Sequence, residues 1–172
     1  VVVGIAASGR TPYTLAAQES VQSTSAKCIG LANNAPSPLL EDCDFPIYLP
    51  TPPELIAGST RMGAGTAQKI ALNMLSTLMG IRLGHVHDGM MVNLNVDNEK
   101  LADRAQRMVM SISDCSQEIA GRSLAQADGS VKVAVLLAAG AENVKQAQQM
   151  LTANRGKLRT ALSGLTVSSS LD

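Results

Sequence analysis

The chain alternates short apolar runs with amphipathic stretches, and that alternation predicts its elements. Residues 1–6, VVVGIA, form a continuous β-branched and apolar run, the pattern of a strand covered on both faces as in a parallel sheet. After a turn, residues 11–26 read as a helix. Thr11 suits the N-cap, Pro12 suits the first helical position, and Leu15, Ala16 and Val21 make a modest apolar stripe. Residues 27–32, KCIGLA, predict a second strand; the turn-rich NNAPSP follows, and residues 45–49 predict a short third strand. Strands and helices alternating at this spacing predict an α/β layer with a parallel sheet.

Beyond PTPPE the pattern changes. Residues 60–83 form one long helical pattern in which Ala67, Ile70, Ala71, Met74, Leu75, Leu78 and Met79 are apolar. A helix apolar nearly all round is expected to be buried, in a core or against a second subunit. In the less regular stretch that follows, MMVNLNV reads as a short edge strand. From Glu99 a further helix is expected, with Leu101, Ala105, Met108, Ile112, Cys115 and Ile119 stepping by three and four. Three short helical segments then centre on VKVAVLLAA, AENVKQAQQMLTA and GKLRTALSGL. Stripes of Val144, Ala147 and Leu151 and of Leu158, Leu162 and Leu165 suit a small three-helix unit. The final TVSSSLD is expected to fray. The organisation expected is residues 1–100 as the α/β part, 101–128 as a connecting helix, and 129–172 as the helical unit.

Composition narrows the function classes. Fourteen basic and fourteen acidic side chains cancel, and one Phe, two Tyr and no Trp leave neither a basic footprint nor stacking platforms for nucleic acid. Cys28, Cys43 and Cys115 are odd in number and lack metal-ligand spacing, so buried free thiols in a reducing cytoplasm are expected. No stretch approaches the ~20 apolar residues that span a bilayer. The chain opens on Val1 inside what reads as an interior strand, without Met, so it is expected to be part of something longer.

Two stretches could carry chemistry. Ser8-Gly9-Arg10-Thr11 follows the first strand and opens a helix, where sheets of this class bind ligands. Free backbone N–H groups, the positive helix end and two hydroxyls suit a phosphate monoester, against the plainer reading of an ordinary N-cap. Gly58-Ser59-Thr60-Arg61 repeats the combination ahead of the long helix, with Glu54 close before it. There the plainer reading makes Ser59 or Thr60 the cap and Glu54 a solvated loop charge. Gly-rich nucleotide spacings and a nucleophile elbow are absent. His85 and His87 are expected to be packing or surface residues, since a metal would need ligands the sequence does not identify.

At GIAASGRTPY and PELIAGSTRMGAGTAQKIALNMLST, and on through LGHVHDGMMVNLNVDNEKLADRA, the sequence resembles the N-acetylmuramic acid 6-phosphate etherases, members of the sugar isomerase (SIS) domain group; glucokinase regulatory proteins share the pattern. The resemblance implies a doubly wound parallel-sheet SIS domain, here in part, followed by a small helical domain. It implies a lyase that cleaves the lactyl ether of N-acetylmuramic acid 6-phosphate to N-acetylglucosamine 6-phosphate and D-lactate in cell-wall recycling. Glutamates would serve as acid and base, without metal or cofactor, in a cytoplasmic homodimer. By family match, Ser8, Gly9, Arg10 and Thr11 would hold the sugar phosphate, with Glu54, Ser59, Thr60 and Arg61 in a second signature beside it. This chain departs twice. Gly63 stands where etherases usually carry Lys, and the family's two catalytic glutamates lie upstream of the first strand, leaving Glu54 as the catalytic candidate here. A noncatalytic sugar-phosphate sensor and an aldose-ketose phosphosugar isomerase are the alternatives.

Overall fold

The computed structural model describes residues 1–94 and 96–168, in two compact units, Val1–Ser76 and Thr77–Asp172. The first unit holds a three-stranded parallel sheet, β1 (Val2–Ile5), β2 (Cys28–Ala32) and β3 (Phe45–Tyr48), in the order β1-β2-β3. Between the strands run α1 (Pro12–Gln22) and the short α2 (Pro38–Glu41); α3 (Gly63–Arg82) follows. The α/β layer expected from the alternating pattern is therefore present.

The two faces of this sheet differ. Val3, Ile29 and Phe45 are in register, as are Ile5, Leu31 and Ile47, so one face is a ladder of large apolar side chains. The opposite face carries Gly4 beside Gly30. A Cβ at Gly4 would stand 2.9 Å from Leu39 Cδ1 and 3.2 Å from Thr14 Cγ2, and one at Gly30 would stand 2.4 Å from the Leu39 carbonyl oxygen. Glycine at these paired positions lets α1 and the backbone of α2 lie directly on the strands. Leu39, fully buried with Ala6 and Ala32, fills the junction. Full coverage of the first strand, expected from its composition, is not seen: Val1 is exposed and Val2, Val3 and Ile5 are half-buried.

At the amino end of the sheet, Lys27 Nζ lies 2.6 Å from Asp44 Oδ1, and the Cys28 N–H donates to Asp44 Oδ2 at 2.9 Å. The Lys27 hydrogen bond foremost, then the Cys28 amide, holds the Asp44 carboxyl below its ordinary pKa. A carboxyl lowered by folding stabilises the chain above its unfolded pKa, and that contribution fades as pH falls through the folded one. Asp44→Asn is expected to flatten the acid side of a melting-temperature profile taken between pH 6 and 3.

The second unit is helical apart from one hairpin, β4 (Val86–His87) with β5 (Met90–Met91), turned by Asp88 and Gly89. The MMVNLNV strand thus shrinks to two residues, paired with its own hairpin. The helix expected from Glu99 through Ile119 is two: α4 (Glu99–Ser113) and α5 (Gln117–Gln126). Asp114 adopts a left-handed backbone and Ser116 caps the new start, its Oγ accepting from the Ile119 N–H. These polar residues end one helix and start the next, although the apolar spacing runs on. α6 (Val131–Ala138), α7 (Val144–Ala153) and α8 (Leu158–Ser168) match the three expected segments. One core, with Ala105, Val109, Ala120, Val135, Leu136, Ala147, Leu158 and Ala161 at its centre, runs through α4 to α8. Thr166–Ser168, expected to fray, continue α8; the rest of TVSSSLD lies outside the described residues.

The helix surrounded by protein is α6, not α3. From Val131 to Leu136 every α6 residue is buried, and Lys132 extends its Nζ to the Gly156 carbonyl at 3.0 Å. Burial lowers the pKa of that ammonium. In α3 only Ala64 is buried; Ile70, Met74, Leu78 and Met79 are exposed, because no described element covers that face. Among the described residues, no helix is long and apolar enough to cross a membrane.

Candidate sugar-phosphate site

The candidate site lies at the carboxyl ends of the strands, within the first unit. β1 runs into Ala6 and then a tight turn in which the Gly9 N–H donates to the Ala6 carbonyl at 3.0 Å. Gly9 takes a left-handed backbone, φ 64°. A Cβ there would also fall 2.2 Å from Ser37 Oγ and 3.2 Å from Ala32 Cβ, so conformation and space both require glycine.

Thr11 is the N-cap of α1 and Pro12 its first residue, as expected, but the Thr11 side chain makes no capping hydrogen bond. Pro12 has no N–H, and the amides of Tyr13 and Thr14 donate no hydrogen bond among the described residues. Ser8 Oγ accepts from the Arg10 N–H at 3.2 Å, which leaves the hydroxyl proton uncommitted. Two free amides, two hydroxyls and the positive helix end thus face the same loop, an arrangement suited to an oxyanion.

Residues read only as a turn complete the loop. The Asn33 N–H and the Asn34 side-chain amide both donate to the Ala7 carbonyl at 3.0 Å, and the Leu39 N–H donates to the Gly9 carbonyl at 3.2 Å. Arg10 Nη2 donates to the Pro36 carbonyl at 3.4 Å. Asn33, itself buried, donates to the Leu49 carbonyl at 2.9 Å and accepts from Gln68 Nε2 at 2.8 Å. Side-chain hydrogen bonds therefore tie the ends of β1, β2 and β3 to α3. The signal for this in the sequence was NNAPSP, whose amides and hydroxyl are as polar as the motif before α1.

The second signature is built differently from its sequence reading. α3 starts at Gly63, and neither Ser59 nor Thr60 caps it. Ser59 Oγ accepts from the Arg61 N–H at 3.4 Å, and the Thr60 carbonyl accepts from the Gly65 N–H. The cap is Glu54. Its Oε1 accepts from the Gly63 and Ala64 N–H groups at 2.8 and 3.2 Å, and its Oε2 from Met62 at 3.3 Å. Glu54 is thus a helix cap rather than a solvated loop charge: its negative charge fills the place an external anion would take at this helix end. The Arg61 guanidinium is exposed and forms no ion pair among the described residues.

Gly63 has an ordinary backbone, and a Cβ there would meet only van der Waals neighbours, Glu54 Oε1 at 3.5 Å and Thr51 Cβ at 3.6 Å. Nothing steric calls for glycine in this first helical turn. Gly63→Ala is expected to stabilise the chain by about 0.5–1 kcal/mol in chemical denaturation.

The remaining candidates fall outside the site. Nε2 of the buried His87 lies 3.4 Å from Asp88 Oδ2, and Asp88 pairs in turn with Arg159. No group of three or more His, Cys, Asp or Glu among the described residues could hold a metal ion. The three cysteines are free; burial first, then Cys43 and Asp44, push the Cys28 thiol up in pKa. A cavity of about 430 Å³ lined by Lys27, Cys28, Cys43 and Asp44 sits at the opposite, amino end of the sheet.

Residues 1–78 match the model of the SIS domain. The three-stranded sheet and the loop after β1 lie within these residues. Over 162 residues, 94% of the chain, the sequence is 44% identical to an N-acetylmuramic acid 6-phosphate etherase of Prochlorococcus marinus and 43% identical to one of Deinococcus radiodurans. An etherase of the same name from Streptomyces avermitilis is 44% identical over 161 residues. The resemblance drawn from the motifs therefore extends across nearly the whole chain. The alignments cover 52%, 53% and 52% of these relatives, so the chain spans about half the length of the curated relatives it matches.

Proposed function

We propose that this chain is the phosphate-binding and helical portion of an N-acetylmuramic acid 6-phosphate etherase, a carbon-oxygen lyase. The observation that supports this most is the amino end of α1, where the Tyr13 and Thr14 amides and the Ser8 and Thr11 hydroxyls are uncommitted beside Gly9 and Arg10 at the carboxyl end of β1. In this reading the loop binds the 6-phosphate of the amino sugar, while Ser59, Thr60 and Arg61 present polar groups beside the capped start of α3. Arg61, exposed and cationic, attracts the anionic substrate. Residues 1–100 form the phosphate-binding part, 101–128 the connecting helical part and 129–172 the small helical domain, and the protein works in the cytoplasm.

Elimination of lactate needs a base to take the proton beside a carbonyl and an acid to assist the lactyl oxygen. In this reading Glu54 caps α3 rather than serving as acid or base, a role supported by the three N–H groups it accepts from. The 172-residue chain binds N-acetylglucosamine 6-phosphate without releasing lactate from the substrate, while the protein translated from the whole reading frame releases it. Binding without lactate release by that longer protein would instead favour a sensor, and interconversion of aldose and ketose phosphates an isomerase.

We further propose that the exposed apolar face of α3, with Ile70, Met74 and Leu78, is covered by a second copy in a homodimer. Light scattering of the full-length protein at tens of micromolar is expected to give the dimer mass, and Met74→Glu the monomer. A monomeric parent protein would contradict this.

A further inference from the structure

Ser37 is 1% exposed, and its Oγ has no hydrogen-bond partner among the described residues. It stands at the N-cap of α2 in an extended backbone but does not cap. The amides it would ordinarily serve are taken: the Leu39 N–H donates to the Gly9 carbonyl and the Leu40 N–H to the carbonyl of Ser37 itself. The hydroxyl is turned instead against Gly9, occupying the space a side chain there would need. A buried hydroxyl without a partner is unfavourable, and such groups are rare in folded chains. This one lies directly beneath the loop in which the α1 amides and the Ser8 and Thr11 hydroxyls are also uncommitted.

We propose that Ser37 is a positioning residue of the phosphate loop, its hydroxyl gaining a hydrogen-bond partner only when the loop is occupied. This rests on the phosphate-site reading above. In the free chain the Gly9 N–H is held by the Ala6 carbonyl. An anion over the loop draws that N–H outward, and the Ser37 O–H, adjacent to Gly9, supplies the hydrogen bond the turn loses. The hydroxyl thereby favours the occupied loop at the expense of the empty one.

The test is titration with N-acetylglucosamine 6-phosphate by calorimetry, paired with ligand-free thermal melts, on the wild-type chain, Ser37→Ala and Ser37→Gly. Ser37→Ala is expected to weaken binding about 5- to 10-fold while leaving the ligand-free melting temperature unchanged or raised, since it removes an unsatisfied group. Ser37→Gly, which also removes the Cβ packed against Gly9, is expected to weaken binding at least as much. Unchanged affinity in both variants, with wild-type binding intact, overturns the role of Ser37 and leaves the site reading standing. Affinity and ligand-free stability falling together in Ser37→Ala would mark a purely structural serine and also overturn it. Absence of wild-type binding overturns the site reading, and this inference with it.

Discussion

Gly9→Ala is expected to be the most damaging single-methyl change at the candidate site, destabilising the chain by about 3–5 kcal/mol and abolishing sugar-phosphate binding. Two independent penalties combine. The backbone at Gly9 has φ 64°, which a side chain disfavours, and the added Cβ would stand 2.2 Å from Ser37 Oγ and 2.5 Å from Ser37 Cβ. Ser37 Oγ can turn about χ1 but Ser37 Cβ cannot, so the loop itself must move, and with it the tie from the Leu39 N–H to the Gly9 carbonyl. Denaturant melts followed by circular dichroism read the stability term. The double variant Gly9→Ala/Ser37→Gly separates the penalties: it is expected to recover the steric part and to retain the backbone part. A Gly9→Ala chain as stable as wild type would show that the turn is not held as described.

Glu54→Ala is expected to cost about 2 kcal/mol, because three backbone N–H groups at the start of α3 lose a charged acceptor together. The corresponding fall in melting temperature is about 4–8 °C for a chain of this size. Glu54→Gln is expected to fall between Ala and wild type, since the amide keeps one acceptor oxygen. In the full-length protein Glu54→Gln is expected to retain most lactate-releasing turnover at temperatures where it stays folded. Turnover lost by a thousandfold or more in a variant that melts like wild type would instead make Glu54 the acid or base.

The parallel layer and the three terminal helices were legible because both rest on local signals: β-branched runs, turn clusters and three-to-four spacing. Three features were not, each for a physical reason. Asp114 and Ser116 break an apolar stripe whose periodicity continues through them, so spacing alone joined two helices. An all-round apolar pattern predicts burial of α3, yet such a pattern says only that a face wants cover; α6 is covered by its neighbours, and no described element covers that face of α3. The cap of α3 comes from a residue nine positions before Gly63, a reach no capping pattern encodes, so Ser59 and Thr60 looked the better candidates.

At the site, the motif Ser8-Gly9-Arg10-Thr11 was visible, and its position after β1 followed from the pattern. Its supports were not visible. Asn33, Asn34 and Gln68 act across the fold, and the Leu49 and Ala7 carbonyls that the two asparagines hold leave no trace in residue identity. The requirement for glycine at position 9 likewise becomes plain only once Ser37 is seen packed beneath it.

The central claim is that the loop after β1 holds a sugar phosphate, and amide chemical shifts measured during titration test it most directly. Saturable shifts at Gly9, Arg10, Tyr13 and Thr14 are expected with N-acetylglucosamine 6-phosphate and not with unphosphorylated N-acetylglucosamine. Equal responses to the two sugars, or no response at these four amides, would contradict it.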